Sequence, residues 1–438
     1  MTDALAPNLA IRHFLDKLEK PTRLLVAISG GSDSTGLLHI LHKEISQAPF
    51  PHVSLAAATV DHALRPEAAD EALEVASLCR TRGISHVIRR WDADKPTTGI
   101  SAAAREARYA LLADAARELQ ADAIVTGHTL DDQIETIAMR ATRSSRQDDT
   151  GLAGMADAML YNRSIWILRP LLNCRRVDIR NVLRADGMGW IDDPSNDDRH
   201  YERVRTRQAI ADDADTNIDQ NAGERRRMLG KSAAELLHRH ATAYAQTVFH
   251  LSPGMLQSDT TALRHALAAL LSVAGGRAYL PGREAMDQVM RFIASTKSGR
   301  MTAARTLLVR HKSGLFLMRE RRGVKSLVLQ PGENAIWDGR FHITNKGSKP
   351  VTVSADRTAE IPDDCDTLPP GIKAHITGIL PHFSHTAVLS TSSASLNVDI
   401  ECRPVLGAYD RFMPVFELEL ANALAQLIGV ESCLTPPL

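Results

Sequence analysis

Short apolar runs alternate with amphipathic stretches from Leu24 to about Arg169. The apolar runs predict buried strands at residues 24–29, 54–60, 86–91 and 123–126. Apolar residues at helical spacing predict helices at about residues 34–45, 72–79, 102–119 and 131–139. This alternation is typical of a parallel sheet covered by helices, so we expect an α/β fold with a doubly wound, mainly parallel sheet.

The second half of the chain has a different pattern. The acidic, polar stretch at residues 210–223 has little to bury and predicts a domain boundary. Beyond it we predict a long amphipathic helix through about His250, two helices at residues 262–276 and 282–295, and strands at residues 306–311 and 314–320. From about Gly323 the sequence is β-rich until a final helix near residues 417–428. We therefore predict a catalytic α/β domain at residues 1–215, and smaller C-terminal domains: a mainly helical one at 223–322 and an α+β or β-rich one at 323–438.

Charge adds local features to this picture. The 438-residue chain has a formal net charge of +0, so any attraction to a polyanion must come from local basic patches. The basic clusters are Arg199 with Arg203, Arg205 and Arg207, then Arg225 to Arg227, and Arg319 with Arg321, Arg322 and Lys325. Taken singly, each cluster is explained equally well as a solvated surface.

The cysteines indicate a reducing compartment. Cys79, Cys174, Cys365, Cys402 and Cys433 are scattered and form no C-x-x-C pair, which disfavours a disulfide framework or a zinc or iron–sulfur site. The N-terminal segment lacks the apolar core of a signal peptide, and no apolar stretch approaches the length that crosses a bilayer. We expect a soluble, cytoplasmic protein without a membrane partner.

The sharpest chemical signal is Ser29-Gly30-Gly31-Ser32-Asp33-Ser34, where the first predicted strand turns into a helix. The glycines let the backbone approach an anion, and the helix N-terminus and the serine hydroxyls supply hydrogen-bond donors. Asp33 suits a phosphate site if Mg²⁺ lies between it and the phosphates, so Asp33 is the predicted metal ligand. No lysine ends the loop, so it is not a Walker A sequence. We predict that all six residues bind a nucleotide.

Two polar segments follow other predicted strands. Asp61 and His62 follow the second strand, at the carboxyl edge where doubly wound sheets bind ligands. His128, Asp132 and Glu135 follow the fourth strand. Asp132 and Glu135 share a helix face at this spacing, and such a carboxylate pair is costly unless a cation lies against it. The alternative is a helix N-cap followed by exposed acids.

SGGSDS resembles the PP-loop of the N-type ATP pyrophosphatases, which cleave ATP to AMP and pyrophosphate while adenylating an oxygen. The loop alone leaves the substrate open, because tRNA thiolases and asparagine synthetases carry it too. Further segments resemble the tRNA(Ile)-lysidine synthetase family: VDHALRP (60–66), AREARY (104–109), GHTLDDQIET (127–136), GLAGM (151–155), RPLL (169–172), DPSN (193–196) and YERVRTR (201–207). Their shared order across the first half of the chain makes the resemblance specific. Departures are Thr59, Ala63, Val204 and residues 143–149.

The resemblance implies an adenine nucleotide alpha hydrolase-like fold and a ligase that forms a carbon–nitrogen bond. Its substrates would be ATP with Mg²⁺, L-lysine and tRNA(Ile) with a CAU anticodon, whose wobble cytidine is adenylated and then joined to lysine. The implied catalytic residues are Asp33, His128, Asp132 and Arg205. The implied substrate-binding residues are Asp132 and Glu135 for lysine, with Arg105, Arg108, Arg203 and Arg207. The oligomeric state stays open, with a homodimer among the alternatives.

Two rivals remain. A tRNA thiolase or another PP-loop enzyme would use a different nucleophile, but the isolated cysteines weigh against sulfur transfer. A catalytically inert RNA-binding protein would keep the fold without the chemistry. The intact SGGSDS loop together with Asp132 and Glu135 argues against that alternative.

Overall fold

The computed structural model describes residues 4–47, 50–142, 153–192, 205–207, 219, 221–295, 298–356, 361–385 and 399–438. The chain divides into two compact units: unit 1 is Met1–Arg226 with Leu434–Leu438, and unit 2 is Arg227–Cys433. Several predicted features lie outside the described residues, namely Arg203, Val204, the 143–149 departure and the DPSN motif at 193–196. The predicted limits of the three domains stay a prediction.

Unit 1 contains a central sheet and the helices that cover it. Its strands are β1 (Thr22–Ala27), β2 (Val53–Asp61), β3 (Ser85–Arg90), β4 (Ala123–Thr126), β5 (Ala158–Tyr161) and β6 (Ile165–Leu168). Its helices are α1 (Pro7–Leu15), α2 (Ser32–Gln47), α3 (Ala68–Thr81), α4 (Ile100–Glu118), α5 (Leu130–Thr142) and α6 (Arg176–Ala185).

These strands lie in the order β5-β6-β4-β1-β2-β3. Neighbouring strands are parallel except for β5, which runs antiparallel to β6. Leu24, Leu25 and Val26 of β1 are fully buried, as expected of a central strand whose two faces are both covered by helices. The predicted α/β fold with a mainly parallel sheet is confirmed.

Strand β1 marks the point where the strand order reverses. It pairs with β2 on one side and with β4 on the other. In open sheets of this kind a crevice forms outside the carboxyl ends of the strands at the reversal. The segments that follow Ala27 and Thr126 therefore meet at this edge.

Residues 434–438 belong to unit 1, although unit 2 precedes them in the chain. Trp166 of β6 is buried, and its indole Nε1 donates a hydrogen bond to the carbonyl oxygen of Leu434 at 3.2 Å. Unit 1 is therefore assembled from two stretches of chain that are distant in sequence.

Unit 2 combines short helices with three sheets. The helix that leads into it is α7 (Ala222–His240), followed by α8 (Thr260–Gly275), α9 (Arg283–Ala294), α10 (Pro370–Ile376), α11 (Ala408–Arg411) and α12 (Leu418–Leu427). Its strands are β7 (Ala241–Tyr244), β8 (Val248–Leu251), β9 (Gly299–Ala303), β10 (Thr306–His311), β11 (Gly314–Arg319), β12 (Leu327–Leu329), β13 (Asn334–Trp337), β14 (Phe341–Asn345), β15 (Val351–Ala355), β16 (Pro381–His385), β17 (Ile400–Pro404) and β18 (Phe412–Pro414). The sheets have the orders β7-β8-β11-β10-β9, β12-β15-β16 and β13-β14-β17.

The long helix predicted to reach His250 is shorter in the structure. Helix α7 ends at His240, and residues 241–251 form the hairpin of β7 and β8. Ala245 and Gln246 turn the chain with φ angles of 44° and 61°, which no α-helix contains. Thr, Tyr, Val and Phe dominate the hairpin, and these residues favour strands over helices. By contrast, the predicted pair of strands near residues 306–320 is confirmed as β10 and β11.

A buried charge cluster lies in unit 2. Asp338, in the turn between β13 and β14, accepts hydrogen bonds from Arg305, Arg319 at 2.9 Å and Arg340 at 2.8 Å. Asp338, Arg319 and Arg340 are all almost inaccessible to solvent. Burial lowers the pKa of Arg340 to about 10, although Asp338 opposes the shift. One carboxylate thus holds three guanidinium groups.

Among the described residues, no helix combines the length and the apolar character needed to cross a membrane.

Candidate functional site

The phosphate loop predicted at residues 29–34 connects β1 to α2. Gly30 has a φ of 88°, a left-handed conformation that favours glycine. Ser34 Oγ accepts a hydrogen bond from Ser29 N and donates one to Gly31 O, both at 3.1 Å. The first turn of α2 presents backbone N–H groups that have no partner within the helix itself. The loop is thus held in the shape of an anion cradle.

Helix α6 and the segment after it support this loop from one side. Ile191 N donates to Gly30 O at 2.9 Å, and a Cβ atom on Gly30 would lie only 2.6 Å from Ile191 Cδ1. Arg180 Nε donates to Ser32 Oγ at 3.1 Å, and its guanidinium lies 5.6 Å from the ring centre of Trp190. Gly30 is therefore favoured by its backbone angle, and a side chain at this position would also have to displace the end of the Ile191 side chain.

The end of β4 supports the loop from another side. A Cβ atom on Gly127 would lie 2.7 Å from Asp33 O and 3.0 Å from Ser34 N, so only glycine fits there without a backbone shift. The next residue, His128, forms a 2.8 Å hydrogen bond between its Nδ1 and Thr126 Oγ1. The two motifs that follow β1 and β4 are thus brought together, as their positions in the sequence predicted.

The predicted carboxylates lie in an ion-pair cluster with two arginines. Arg176, at the start of α6, donates through Nε to Asp33 Oδ2 at 2.8 Å and through Nη2 to Asp132 Oδ1 at 3.0 Å. Arg207 Nε donates to Glu135 Oε1 at 2.7 Å. Asp132 and Glu135 are buried, so their charges are balanced by protein groups in this structure.

Asp132 also stabilises the start of α5. Its Oδ2 accepts hydrogen bonds from Thr129 N at 2.7 Å and Thr129 Oγ1 at 2.9 Å. Asp132 N in turn faces Thr129 Oγ1 at 3.4 Å. This arrangement is a capping box in which aspartate takes the place of glutamate. One oxygen of Asp132 therefore serves the helix and the other faces Arg176. The helix cap of the alternative explanation is present, but its exposed acids are not, because Asp132 and Glu135 are buried.

Burial governs the electrostatics of the cluster. Desolvation raises the pKa of the Asp33 carboxyl, and the charge and hydrogen bond of Arg176 oppose that shift. The charges of Asp33 and Asp132 raise the pKa of Arg176 despite its own burial. Arg176 thus stays cationic and compensates for two carboxylates at once.

Asp61 and His62 lie at the carboxyl end of β2, as predicted. Asp61 Oδ1 accepts a hydrogen bond from Ala63 N at 2.7 Å, and Ala63 adopts a left-handed φ of 50°. The His62 ring packs edge-on against Trp91, with ring centres 6.1 Å apart. Burial lowers the pKa of His62, and the nearby charge of Arg108 adds to the effect. Nδ1 of this neutral imidazole has no hydrogen-bond partner among the described residues.

Comparison with known proteins identifies the family. The model of the PP-loop domain matches residues 6–214. A tRNA(Ile)-lysidine synthase from Rhizobium meliloti is 41% identical over 439 residues, a match that covers 97% of this chain and 96% of that protein. The chain belongs to the tRNA(Ile)-lysidine synthase family. Ala63, which stands after Asp-His where the family motif has glycine, adopts a left-handed φ of 50°, a conformation that favours glycine.

Other members of the lysidine synthase family are similarly close. The protein of that name from Mesorhizobium japonicum is 39% identical, with 99% of this chain and 98% of that protein covered. The one from Brucella anthropi is 36% identical, with coverage of 94% and 95%. Among solved structures, the U34-tRNA thiolase NcsA from Methanococcus maripaludis has a TM-score of 0.36 and 17% identity, covering 47% of this chain and 79% of that one. A structural likeness this distant carries no argument about function.

The arginines of the family's A-R-x-x-R-Y motif surround a tyrosine. The Arg105 guanidinium lies 5.0 Å from the ring centre of buried Tyr109. Burial acts to raise the pKa of Tyr109, but the charges of Arg105, Arg169 and Arg108 outweigh it, so the pKa is lowered. Arg169, from the R-P-L-L motif, is itself buried and donates to Ala156 O at 2.6 Å. Arg105 and Arg108 of α4 and Arg169, which follows β6, thus place positive charge around Tyr109.

The remaining predicted residues belong to the YERVRTR motif at residues 201–207. Arg205 is exposed at the first of the three described helical residues, 205–207, and its catalytic role stays a prediction. Arg203 lies outside the described residues. Arg207 is the one residue of this motif that the described contacts bring to the carboxylate cluster.

Magnesium fits the donor set of this lysidine synthase family member. Within the described residues no group of three or more His, Cys, Asp or Glu side chains could hold a metal ion alone. Mg²⁺ commonly binds through one or two carboxylates together with substrate phosphates, and Asp33 beside the phosphate loop meets that requirement. The phosphates of a bound nucleotide would thus have to supply the other Mg²⁺ ligands.

Three residues that contact the site are not among those predicted from the sequence. Arg176 and Arg180 lie on α6, which follows the R-P-L-L motif in the chain, and no role is predicted for either from the sequence. The carboxylate pair of Asp132 and Glu135 indicates that a cation lies nearby, but it does not indicate which arginine supplies the charge. Thr129 precedes Asp132 at capping-box spacing, and this pattern was visible in the sequence.

Proposed function

We propose that this protein joins lysine to C2 of the wobble cytidine of tRNA(Ile) with a CAU anticodon, using ATP and Mg²⁺ and working in the cytoplasm. Full-length relatives named for this activity support the proposal. The observation that carries it is the meeting of a phosphate loop with a buried carboxylate cluster at the edge of β1 and β4. The phosphate loop suits the triphosphate of ATP, and the carboxylate cluster suits the amino groups of lysine.

Adenylation would occur at the phosphate loop. The cytidine C2 oxygen attacks the α-phosphorus of ATP, the bond to the β-phosphate oxygen breaks, and pyrophosphate leaves. The backbone donors and serine hydroxyls of residues 29–34 hold the leaving charge, and Asp33 would hold Mg²⁺, which supplies further charge neutralisation. His128, which follows β4, is proposed to contact the adenylated phosphate.

Lysine would attack in the second step. Its ε-amine forms a bond to C2, the bond between C2 and the AMP oxygen breaks, AMP leaves, and the amine loses a proton. Asp132 and Glu135 would hold the amino groups of lysine in position, a task for buried carboxylates. Arg205 and Arg207 would act beside them, and Arg105, Arg108 and Arg203 would contact phosphates of the tRNA.

The rival function is sulfur transfer to tRNA. A sulfur carrier needs an accessible thiolate, whereas burial raises the pKa of Cys79 to about 11 and of Cys174 to about 12. All five cysteines are free thiols, and Cys79, Cys174, Cys365 and Cys433 are buried. These thiols are poor nucleophiles, which favours lysine as the second substrate.

The test combines the purified protein with a tRNA(Ile) transcript bearing the CAU anticodon, Mg-ATP and radiolabelled lysine. We expect one lysine per tRNA and one AMP per lysine. A transcript with uridine at the wobble position is the matched control and should stay unlabelled. The Asp33→Ala variant should fold but incorporate no lysine. Absence of label with wild-type protein, or label that does not require ATP, would refute the proposal.

A further inference from the structure

Arg176 lies between the two carboxylates to which the proposed function assigns different ligands. It contacts Asp33, the proposed magnesium ligand, at 2.8 Å, and Asp132, a proposed lysine ligand, at 3.0 Å. Both contacts come from the same guanidinium group, so it cannot leave one carboxylate by rotation without disturbing its contact with the other. The two binding events are therefore linked through one side chain.

The hydrogen bonds of Asp132 explain why its contact with Arg176 would affect lysine binding. A carboxylate oxygen has about two acceptor positions, and Thr129 N and Thr129 Oγ1 take those of Oδ2. Oδ1, the oxygen of Asp132 that does not serve this cap, accepts the hydrogen bond of Arg176 Nη2. An ammonium group that approaches Asp132 must then compete with a guanidinium that two buried carboxylates hold in place.

The backbone and the side chain of Arg176 are held by different contacts. Its backbone N–H donates to Asp131 Oδ2 at 2.7 Å, which fixes the start of α6. Its side chain is 20% exposed, so it can reach ligands that enter the crevice. Phosphate is a strong partner for a guanidinium, and a triphosphate on the loop at residues 29–34 would lie next to Asp33. Arg176 then has an alternative partner as soon as a nucleotide binds.

On this basis we propose that Arg176 makes lysine binding conditional on Mg-ATP. In the free enzyme Arg176 donates a hydrogen bond to Asp132 Oδ1. When Asp33 accepts magnesium and phosphates fill the loop, Arg176 turns to the phosphates, and a lysine ammonium group replaces it at Asp132. The inference rests on the proposed function, and it makes Arg176 a positioning residue that orders the two substrates. Because binding coupling is reciprocal, lysine must also tighten nucleotide binding.

Calorimetric titration of lysine tests this coupling without catalysis. Lysine is titrated into the tRNA-free enzyme, first alone and then with Mg²⁺ and a non-hydrolysable α,β-methylene ATP analogue. We expect the nucleotide to tighten lysine binding about tenfold or more in the wild type. In Arg176→Gln, lysine should bind the nucleotide-free enzyme nearly as tightly as it binds the wild-type nucleotide complex. An equal lysine affinity with and without nucleotide in the wild type would overturn the inference.

Arg175→Gln is the matched control. Arg175 precedes Arg176 in the chain and pairs with Asp131 at 3.5 Å, so its replacement should leave the coupling intact. If Arg176→Gln does not fold, Arg176→Lys keeps the charge but can satisfy only one carboxylate well, and its coupling should shrink. Coupling of wild-type size in a folded Arg176 variant would contradict the inference. Lysine incorporation by the wild type without nucleotide-dependent lysine binding would refute the role of Arg176 and leave the proposed function standing.

Discussion

Single residues at the crevice take part in a helix cap and in an ion pair at the same time. Asp132 caps α5 through one oxygen and faces Arg176 through the other. A substitution at Asp132 would therefore weaken the helix start as well as the ion pair. Thr129 separates the two effects, because Thr129→Ser keeps the cap whereas Thr129→Val removes the hydroxyl donor.

Gly127→Ala should distort the phosphate loop. The added methyl would lie within 3.0 Å of backbone atoms of Asp33 and Ser34, which cannot move aside as a side chain can. Overpacking of this kind costs about 1–3 kcal/mol. We expect a lower urea midpoint and clearly weaker binding of Mg-ATP by calorimetry.

The control for this change is Gly189→Ala, because Gly189 has open space where the methyl would lie. Its urea midpoint and nucleotide affinity should stay close to wild type. Unchanged nucleotide binding in Gly127→Ala would show that β4 and the loop do not depend on this close contact.

Asp338→Ala should destabilise unit 2. It would leave Arg319 and Arg340, both almost inaccessible to solvent, without their carboxylate. Breaking a buried ion pair in this way costs on the order of 3–5 kcal/mol. Trp337 directly precedes Asp338 and is buried, so its fluorescence should report the unfolding of unit 2. We expect a lower urea midpoint for Asp338→Ala.

Asp338→Asn separates charge from backbone strain. Asparagine tolerates the left-handed φ of 52° at this position and keeps an acceptor oxygen, but it lacks the charge. We expect a loss smaller than that of the alanine variant. Equal stability of all three proteins would mean that the arginines find other partners.

The sequence revealed the residue types of the site better than their partners. The phosphate loop, Asp61, His62, His128, Asp132 and Glu135 lie at the carboxyl edge of the sheet, where their positions after strands predicted them. Arg176 contacts Asp132 from 44 residues away, and such a long-range ion pair has no local pattern. Its detection needs the fold.

Among the elements, the contact of α2 with α6 sets the distance between Asp33 and Arg176. Gly36 of α2 faces the buried side chain of Ile179 on α6, and a Cβ on Gly36 would lie 2.2 Å from Ile179 Cγ2. The absence of a side chain lets the two helices approach closely. Each helix carries one partner of the ion pair, so their spacing controls it.

Gly36→Ala and Ile179→Ala should each destabilise the protein, and the double variant should be more stable than the sum of the two losses predicts. The first change overpacks the interface by about 1–3 kcal/mol, and the second leaves a cavity that costs about 2–5 kcal/mol. The new methyl partly fills that cavity. A double-mutant cycle from urea unfolding measures the coupling, and strict additivity would contradict this account.

Elements with a strong local pattern were predicted best. The strands β1, β2, β3 and β4 match the predicted apolar runs within a few residues. Strands β5 and β6 were not predicted, although Ala158–Tyr161 and Ile165–Leu168 are fully buried. The end of α7 was predicted wrongly because residues 241–251 also have apolar residues at helical spacing. Their strand-favouring side chains and the pairing of β8 with β11 together select the hairpin.

Across the whole molecule, histidine burial predicts a loss of stability in mild acid. Burial lowers the pKa values of His42, His62, His86 and His375 from their ordinary value of 6.5. The unfolded chain therefore binds more protons than the folded protein below about pH 6.5. Stability is fully present above that pH and falls as the pH decreases through it.

Urea midpoints at pH 7.5 and 5.5 measure this effect, and we expect the lower value in acid. His86→Gln should reduce the pH dependence, since the His86 ring is removed while an amide can still reach Thr59. The exposed His13 provides the control variant His13→Gln, which should keep the wild-type pH dependence. A midpoint that rises in acid would contradict the prediction.

The architecture of unit 1 has a consequence for biosynthesis. The indole N–H of Trp166 finds its acceptor at Leu434, 268 residues later in the chain. A ribosome releases the N-terminal residues first, and domains commonly fold as they emerge. The nascent sheet is therefore expected to form without the Leu434 contact, and the indole of Trp166 gains this acceptor only after the whole of unit 2 has been translated.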